Sequence, residues 1–132
     1  MIRRICLIIF FAAVIGGINF LINPNKPQHA EGLTFTQVAK LSTPVLFVDA
    51  RKAVDFSLGH VAGAVNLPDD DFDAHVGAFL DRWVPEASVV VYCANSGCNS
   101  SASVARRLRE DFQIKTVYVL KDDWQLWERY LK

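Results

Sequence analysis

The sequence has little cysteine and no excess of charge of either sign. Its 132 residues include only three cysteines, which are too few for a disulfide framework to replace a hydrophobic core. The 14 lysine and arginine residues balance the 14 aspartate and glutamate residues, so a nucleic-acid partner is not expected. Internal repeats and low-complexity tracts are also missing. The length then leaves room for one domain and an appendage.

Charge is also missing from a long segment near the N-terminus. Arg3 and Arg4 precede an apolar stretch over residues 5–22, which as a helix would span roughly 27 Å, close to the hydrocarbon thickness of a bilayer. We therefore predict a membrane anchor within residues 1–22, membrane contact through residues 4–22, and a linker at residues 23–31. The two arginines are expected to keep the N-terminus in the cytoplasm. The domain predicted at residues 32–132 would then lie on the extracytoplasmic (periplasmic) side. The alternative is a cleaved signal peptide, which would leave the domain secreted.

Short apolar runs alternate with amphipathic segments along the rest of the chain. Strands are predicted at residues 32–36, 45–48, 64–68, 89–92 and 116–120. Helices are predicted at residues 36–41 and 52–58, then from residue 69, from residue 101 to 112, and from residue 124. This alternation predicts a three-layer α/β domain around a mostly parallel sheet.

An acidic triplet, Asp69 to Asp71, lies at the start of the third of these helices. Negative charge is favourable at the start of a helix because it opposes the positive end of the helix dipole. No pair of histidines accompanies the triplet, so we expect a helix start rather than a metal site. The sequence predicts neither a metal nor a cofactor.

The stretch that follows the fourth predicted strand carries the clearest chemical signal. The β-branched and aromatic run before Cys93 predicts a buried strand, and Ser101 is a predicted first cap of the next helix. Ligands of parallel α/β sheets bind beyond the carboxyl ends of the strands, where Cys93 would lie. Loop amides and the helix dipole would stabilise a thiolate there. Cys93 is therefore the candidate catalytic nucleophile, although a small apolar residue closing a core strand is the alternative.

The order of the motifs resembles the rhodanese-like domain family over residues 33–131. Residues 45–51, 55–56 and 59–68 resemble its first signature, and residues 91–93 resemble the end of the strand that carries its active cysteine. Residues 117–120, followed by Trp124 and Trp127, resemble its closing signature. The resemblance implies a central five-stranded parallel sheet and a sulfurtransferase activity. It implies that Cys93 takes a sulfane sulfur from thiosulfate, polysulfide or a persulfide, carries it as a persulfide, and passes it to a thiol acceptor.

The cysteine loop departs from the common family pattern. Gly97 lies four positions after Cys93, and Cys98 occupies the fifth position, where the family commonly has an arginine. Without the arginine, anion binding would depend on the loop amides and the helix dipole, so thiosulfate should bind less well than in arginine-bearing members. These substrate-binding amides are those of Ala94, Asn95, Ser96, Gly97, Cys98 and Asn99. Asp122 and Asp123 also stand where the closing signature often has two glycines.

Cys98 lies within the same loop as Cys93 and is a possible resolving thiol. It would attack a persulfide or sulfenate on Cys93 and leave a reducible disulfide; the alternative is that it fills the space of the missing arginine. The pair also permits a second function, a thiol-disulfide redox or sensing module. A phosphatase is disfavoured because Asn99 stands where its phosphate-binding arginine is needed. A non-catalytic binding domain is disfavoured by the loop cysteine itself.

Four polar residues of the first signature have two interpretations. Asp49, Arg51, Asp55 and His60 lie near predicted strand and helix ends, where such side chains usually form ion pairs, caps and backbone hydrogen bonds. We favour these structural roles over direct catalysis, and of the four His60 is the first alternative as a catalytic group.

Overall fold

Five parallel strands form the centre of the domain in the computed structural model, which describes residues 31–95 and 98–130. The strand order is β1-β5-β4-β2-β3, and every neighbouring pair is parallel. The predicted five-stranded sheet is confirmed, and it is fully rather than mostly parallel. The strands are β1 (Glu31–Leu33), β2 (Val45–Asp49), β3 (Val65–Asn66), β4 (Ser88–Tyr92) and β5 (Val117–Leu120).

Helices and short 3₁₀ turns connect these strands. The helices are α1 (Phe35–Val38), α2 (Ala53–Leu58), α3 (Phe72–Leu80), α4 (Asn99–Glu110) and α5 (Trp127–Tyr130), with 3₁₀ turns at Asp69–Asp71 and Trp124–Leu126. The acidic triplet therefore starts a helical segment, as predicted. The first strand is shorter than predicted because Thr34 and Gln37 form a capping box that starts α1 at Phe35. Glu31, assigned to the linker from the sequence, belongs to β1.

The sheet separates two apolar clusters. Alternate residues of β2 and β4 point to opposite faces, so Val48 belongs to one cluster and Phe47 to the other. Residues of α3 and α4 complete the first cluster, and residues of α1 and α5 contribute to the second. Helices therefore cover both faces, which confirms the three-layer architecture. A sheet buried on both faces is typical of parallel strands.

The apolar spacing of α2 does not mark a core face. Val54 is 63% exposed and Leu58 is 84% exposed, and the helix has no fully buried residue. Phe56 instead packs against the second cluster. Periodicity shows which side chains share a helix face, but in a helix of six residues it does not show whether that face meets the core. Leu80, at the end of α3, is likewise 38% exposed.

Among the described residues, no helix is long and apolar enough to cross a membrane. The predicted anchor at residues 1–22 lies outside the described part of the chain, as does the predicted linker up to residue 30.

Candidate active site

Cys93 lies at the carboxyl end of the central strand. All five residues of β4 are buried, and the strand pairs with β2 on one side and β5 on the other. Cys93 follows directly and is 8% exposed. The segment after β2 reaches the same place, because the Ala50 amide donates a hydrogen bond of 2.9 Å to the Tyr92 carbonyl oxygen. The strand-end position predicted for Cys93 is therefore observed.

Cys93 and Cys98 form a disulfide. Their Cα atoms are 6.0 Å apart, a separation common in disulfides. The structure therefore brings together the two cysteines that the sequence suggested as nucleophile and resolving thiol. Because Cys98 takes part in this bond, it does more than fill the space of a missing arginine.

The helix after the loop begins earlier than predicted. Cys98 has an extended backbone conformation at the N-cap position, and α4 begins at Asn99. Ser101, the predicted cap, is buried in the first turn, where its hydroxyl donates to the Cys98 carbonyl oxygen at 3.4 Å. Serine favours helix starts because it bonds to nearby backbone, and here it makes that bond from inside the helix. The predicted N-cap is therefore wrong by three positions.

The structure describes only some of the loop amides, at residues 94–99, that were predicted to bind the substrate. Ala94 and Asn95 are exposed, and the Cys98 amide donates to the Asn95 carbonyl oxygen at 3.3 Å, within the loop itself. Ser96 and Gly97 lie outside the described residues. The Asn99 amide belongs to the first turn of α4. The substrate-binding roles of these amides stay predictions.

An open cavity of about 260 Å³ lies over Cys93. Its lining comes from the segments that follow three strands, from α2 and from the start of α4: Ala50, Arg51, Lys52, Asp55, Asp69, Asp70, Cys93, Ala94 and Ser100. The charged members of this set were not predicted as site residues. They follow β2 and β3, whose carboxyl ends lie at the same sheet edge as that of β4, so the strand topology was the signal that could have found them.

Asp49 and Arg51 form a buried ion pair beside this cavity. The Arg51 Nη2 atom lies 2.6 Å from Asp49 Oδ2, and Nε and the Arg51 amide also donate to that carboxylate. The Asp49 side chain is fully buried, and the Arg51 side chain is 12% exposed. The hydrogen bonds that Arg51 donates to the Asp49 carboxylate raise the pKa of Arg51. Asp49 therefore neutralises the positive charge of Arg51, in the structural role predicted for both.

Further contacts fix this ion pair in place. Arg51 Nη2 also donates to the Gly59 carbonyl oxygen at 2.6 Å, and its guanidinium carbon lies 4.5 Å from the ring centre of Trp124. The side-chain Nδ2 atom of Asn66 donates to the backbone carbonyl oxygens of Asp49 and Arg51. Arg51 is therefore a positioned structural cation, and it does not replace the arginine missing from the cysteine loop.

Tyr92 forms a hydrogen bond with the turn that contains Val61 and Gly63. Its hydroxyl oxygen accepts a hydrogen bond of 3.0 Å from the Val61 amide. Burial raises the pKa of Tyr92 well above its ordinary value, so the phenol is neutral at physiological pH. Gly63, at φ +78°, completes the turn in a conformation that side chains rarely adopt.

His60 lies outside the lining of the cysteine cavity. Its Nδ1 atom donates to the Phe56 carbonyl oxygen at 2.8 Å, and its ring stacks on the Phe56 ring with centres 3.7 Å apart. It lines a different cavity, together with Trp124 and Trp127. The backbone hydrogen bond predicted for His60 is observed. Of the four polar residues of the first signature, only Arg51 and Asp55 line the cysteine cavity.

The two aspartates of the closing signature both act as caps. Asp122 Oδ2 accepts a hydrogen bond of 2.7 Å from the Phe35 amide at the start of α1. Asp123 Oδ1 accepts from the Gln125 amide at 3.1 Å and caps the second 3₁₀ turn. The closing turn therefore forms with aspartates where the family often has glycines.

The sheet order, the helices on both faces and a loop cysteine at the carboxyl end of the central strand define a rhodanese-type α/β domain. The model of the Rhodanese-like domain family matches residues 34–130, and the chain belongs to this family. The family as a whole suggests sulfur transfer. No curated protein matches the sequence.

Solved structures with the same fold include a protein from Bacillus halodurans, with a TM-score of 0.60 and 19% identity, in which 83% of each chain is covered. A rhodanese-related protein from Thermoplasma volcanium gives a TM-score of 0.56 and 15% identity, over 76% of this chain and 92% of that one. A variant of EanB, in a complex with ergothioneine covalently linked with a cysteine persulfide, gives a TM-score of 0.54 and 23% identity. That match covers 70% of this chain and 24% of EanB.

Proposed function

We propose that this protein is a sulfurtransferase that carries sulfane sulfur as a persulfide on Cys93 and delivers it to a thiol acceptor. The observation that carries the proposal is the position of Cys93 at the end of the central strand, at an open cavity and bonded to Cys98. Membership of the Rhodanese-like domain family supports it. The complex described for EanB, which shares the fold, shows that such a domain occurs in a protein with a cysteine persulfide.

The proposed sulfur transfer uses two exchanges at sulfur, and a third exchange replaces the second when no acceptor is present. The Cys93 thiolate attacks the sulfane sulfur of a donor, the donor S–S bond breaks, and sulfite leaves from thiosulfate or a shortened chain leaves from polysulfide. An acceptor thiolate then attacks the outer sulfur of the persulfide and displaces the Cys93 thiolate. In the absence of an acceptor, the Cys98 thiolate attacks Cys93 Sγ, releases hydrosulfide and forms the Cys93–Cys98 disulfide. An external thiol must reduce this disulfide before the next cycle.

Intact-mass spectrometry tests the persulfide directly. The reduced full chain, freed of reductant, is incubated with polysulfide or with thiosulfate, and the added sulfur is located by peptide mapping. We expect one added sulfur on the wild type at early times, before Cys98 displaces it and the disulfide forms, and none on Cys93→Ser at any time, with polysulfide loading faster than thiosulfate. The matched control is Cys6→Ser, which removes the remaining cysteine of the chain and should load normally. Equal loading of Cys93→Ser and the wild type would reject Cys93 as the carrier.

The disulfide also favours a second candidate function, a thiol-disulfide redox or sensing module. Cys98→Ser separates the two candidates. In a sulfurtransferase, this variant loads sulfur on Cys93 and holds it longer than the wild type, because the resolving thiol is missing. In a redox module, sulfur does not add to either protein, and the wild type instead shows a defined reduction potential that Cys98→Ser abolishes.

We further propose that residues 4–22 anchor the domain to a membrane, with the domain on the extracytoplasmic side. The apolar stretch behind Arg3 and Arg4 supports this placement. An oxidising compartment would also maintain a disulfide, which the cytosol tends to reduce. Membrane fractionation, followed by protease treatment of spheroplasts, tests both points. A full-length chain in the cytosolic fraction would overturn the anchor, and a shortened soluble chain would indicate a cleaved signal peptide.

A further inference from the structure

The rim of the Cys93 cavity has an excess of negative charge. Arg51 is neutralised by its buried partner Asp49, and Lys52 lies 3.9 Å from Asp70. Asp55 and Asp69 also line the cavity and form no ion pair with any described residue. The local potential therefore disfavours small dianions and favours a cationic ligand.

An exposed apolar face adjoins this rim. Helix α2 contributes Asp55 to the wall of the cavity, and Lys52, at the N-cap position of the helix, also lines it. Val54 and Leu58, four residues apart on the same helix, share a face that no described residue covers, at 63% and 84% exposure. A partner larger than a small sulfur donor would cover this apolar face while its reacting group enters the cavity.

We propose that α2 and the acidic rim form the docking surface for a polypeptide whose reactive cysteine is flanked by basic and apolar side chains. This inference rests on the proposed function, because it names the thiol partner of that site. The basic groups would approach Asp55, Asp69 and Asp70, and the apolar groups would cover Val54 and Leu58. The same carboxylates disfavour an anionic lipid surface, and two copies of this acidic rim would repel each other.

Disulfide exchange tests the docking surface without requiring sulfur transfer. The peptide thiolate attacks one sulfur of the Cys93–Cys98 disulfide, the S–S bond breaks, and a mixed disulfide and a free protein thiolate form. The probes are three peptides, Lys-Leu-Cys-Leu-Lys, Glu-Leu-Cys-Leu-Glu and Lys-Ser-Cys-Ser-Lys. Mass spectrometry follows each reaction with the oxidised full chain in detergent micelles, and rates are divided by the thiolate fraction of each peptide.

At low ionic strength we expect the Lys-Leu peptide to react about tenfold faster than the Glu-Leu peptide, with the ratio falling as salt is added. We expect it to react about fivefold faster than the Lys-Ser peptide, the effect of burying part of a leucine side chain. Asp69→Asn/Asp70→Asn should reduce the charge preference, and Val54→Ser/Leu58→Ser should remove the leucine preference.

The matched controls lie at the opposite end of the sheet, just before β4. Val84, which is 47% exposed, and the exposed Glu86 allow Val84→Ser and Glu86→Gln, which should keep both preferences. Equal rates for all three peptides would overturn the docking surface even if Cys93 carries sulfur. Preserved preferences without any persulfide would instead overturn the proposed function alone. The wild type is also tested for oligomers and for binding to phosphatidylglycerol vesicles. If either is found and Val54→Ser/Leu58→Ser abolishes it, the apolar face has another occupant and the inference is overturned.

Discussion

At the residue scale, the ion pair between Asp49 and Arg51 stabilises the edge of the sheet that holds the site. Asp49→Asn keeps the shape of the side chain but removes its charge, so the largely buried guanidinium loses its counter-charge. We expect the free energy of unfolding in urea to fall by about 3 kcal/mol, as for other buried pairs that lose one partner.

An exposed pair supplies the control for this variant. Arg107 Nη2 lies 2.7 Å from Asp73 Oδ1, but the Asp73 side chain is 88% exposed. Because water already solvates such a pair, Asp73→Asn should leave the urea midpoint nearly unchanged. Equal losses in the two variants would mean that burial does not set the strength of the Asp49–Arg51 pair.

The buried phenol of Tyr92 predicts a pH dependence of stability. In the unfolded chain a tyrosine ionises near pH 10, whereas burial raises the pKa of Tyr92 in the folded protein. The unfolded state therefore loses this proton first, and the free energy of unfolding should fall as pH rises through about 10. Tyr92→Phe removes the titrating group and should flatten this part of the profile, measured by urea unfolding from neutral to alkaline pH.

At neutral pH, Tyr92→Phe should lower the free energy of unfolding. Tyr92→Phe leaves the Val61 amide without its acceptor, so we expect a loss of about 1 kcal/mol there. If the free energy of unfolding of Tyr92→Phe falls above pH 10 as steeply as that of the wild type, the phenol ionises equally easily in the folded and unfolded states. That result would contradict the effect expected from its burial.

Some site residues could be predicted from the sequence and others could not. Cys93 was predictable because a buried β-branched run, a polar loop and a helix fix its place at a strand end. Its bond to Cys98 was not, since spacing along a loop does not give the distance between side chains. Arg51, Lys52 and Asp69 line the cavity because separate strands end at one edge, a long-range relation that local patterns do not contain.

At the element scale, hydrophobic runs predicted the strands better than local rules predicted the helix ends. Strand β4 is buried on both faces and appears as an uninterrupted apolar run, so its assignment needed no knowledge of its neighbours. Helix α4 begins at Asn99 rather than Ser101 because the disulfide loop ends at Cys98. Helix α2 was predicted at the right place, but the exposure of Val54 and Leu58 depends on its position relative to the sheet.

The cap from Asp122 to α1 ties two distant elements together. Asp122 follows β5, and its carboxylate accepts from the Phe35 amide, so it joins the closing turn to the first helix. We expect Asp122→Ala to lower the free energy of unfolding by about 1 kcal/mol, the usual cost of losing a helix cap. The measurement is thermal or urea unfolding, with Asp81→Ala as the control because Asp81 is exposed at the C-terminal end of α3. No loss in Asp122→Ala would show that solvent replaces this cap without cost.

At the scale of the whole molecule, the two cysteines lie beyond the apolar core, although Ala50 of the first cluster also lines the Cys93 cavity. The two apolar clusters lie on opposite faces of the sheet, and neither includes Cys93 or Cys98. The disulfide closes a loop of only a few residues beyond the end of β4, so it constrains the unfolded chain much less than a long cross-link would. The redox state of the pair can therefore change while the sheet and both helical layers persist.

Reduction should accordingly change the site more than the fold. We expect the reduced full chain to keep its circular dichroism spectrum and cooperative unfolding, with a free energy of unfolding lower by about 2 kcal/mol, the loop-entropy value for such a short cross-link. Cys93→Ser/Cys98→Ser should match the reduced wild type and should not respond to reductant, which makes it the control. Loss of cooperative unfolding on reduction would show that the disulfide is a structural requirement of the domain and not a bond that opens while the fold persists.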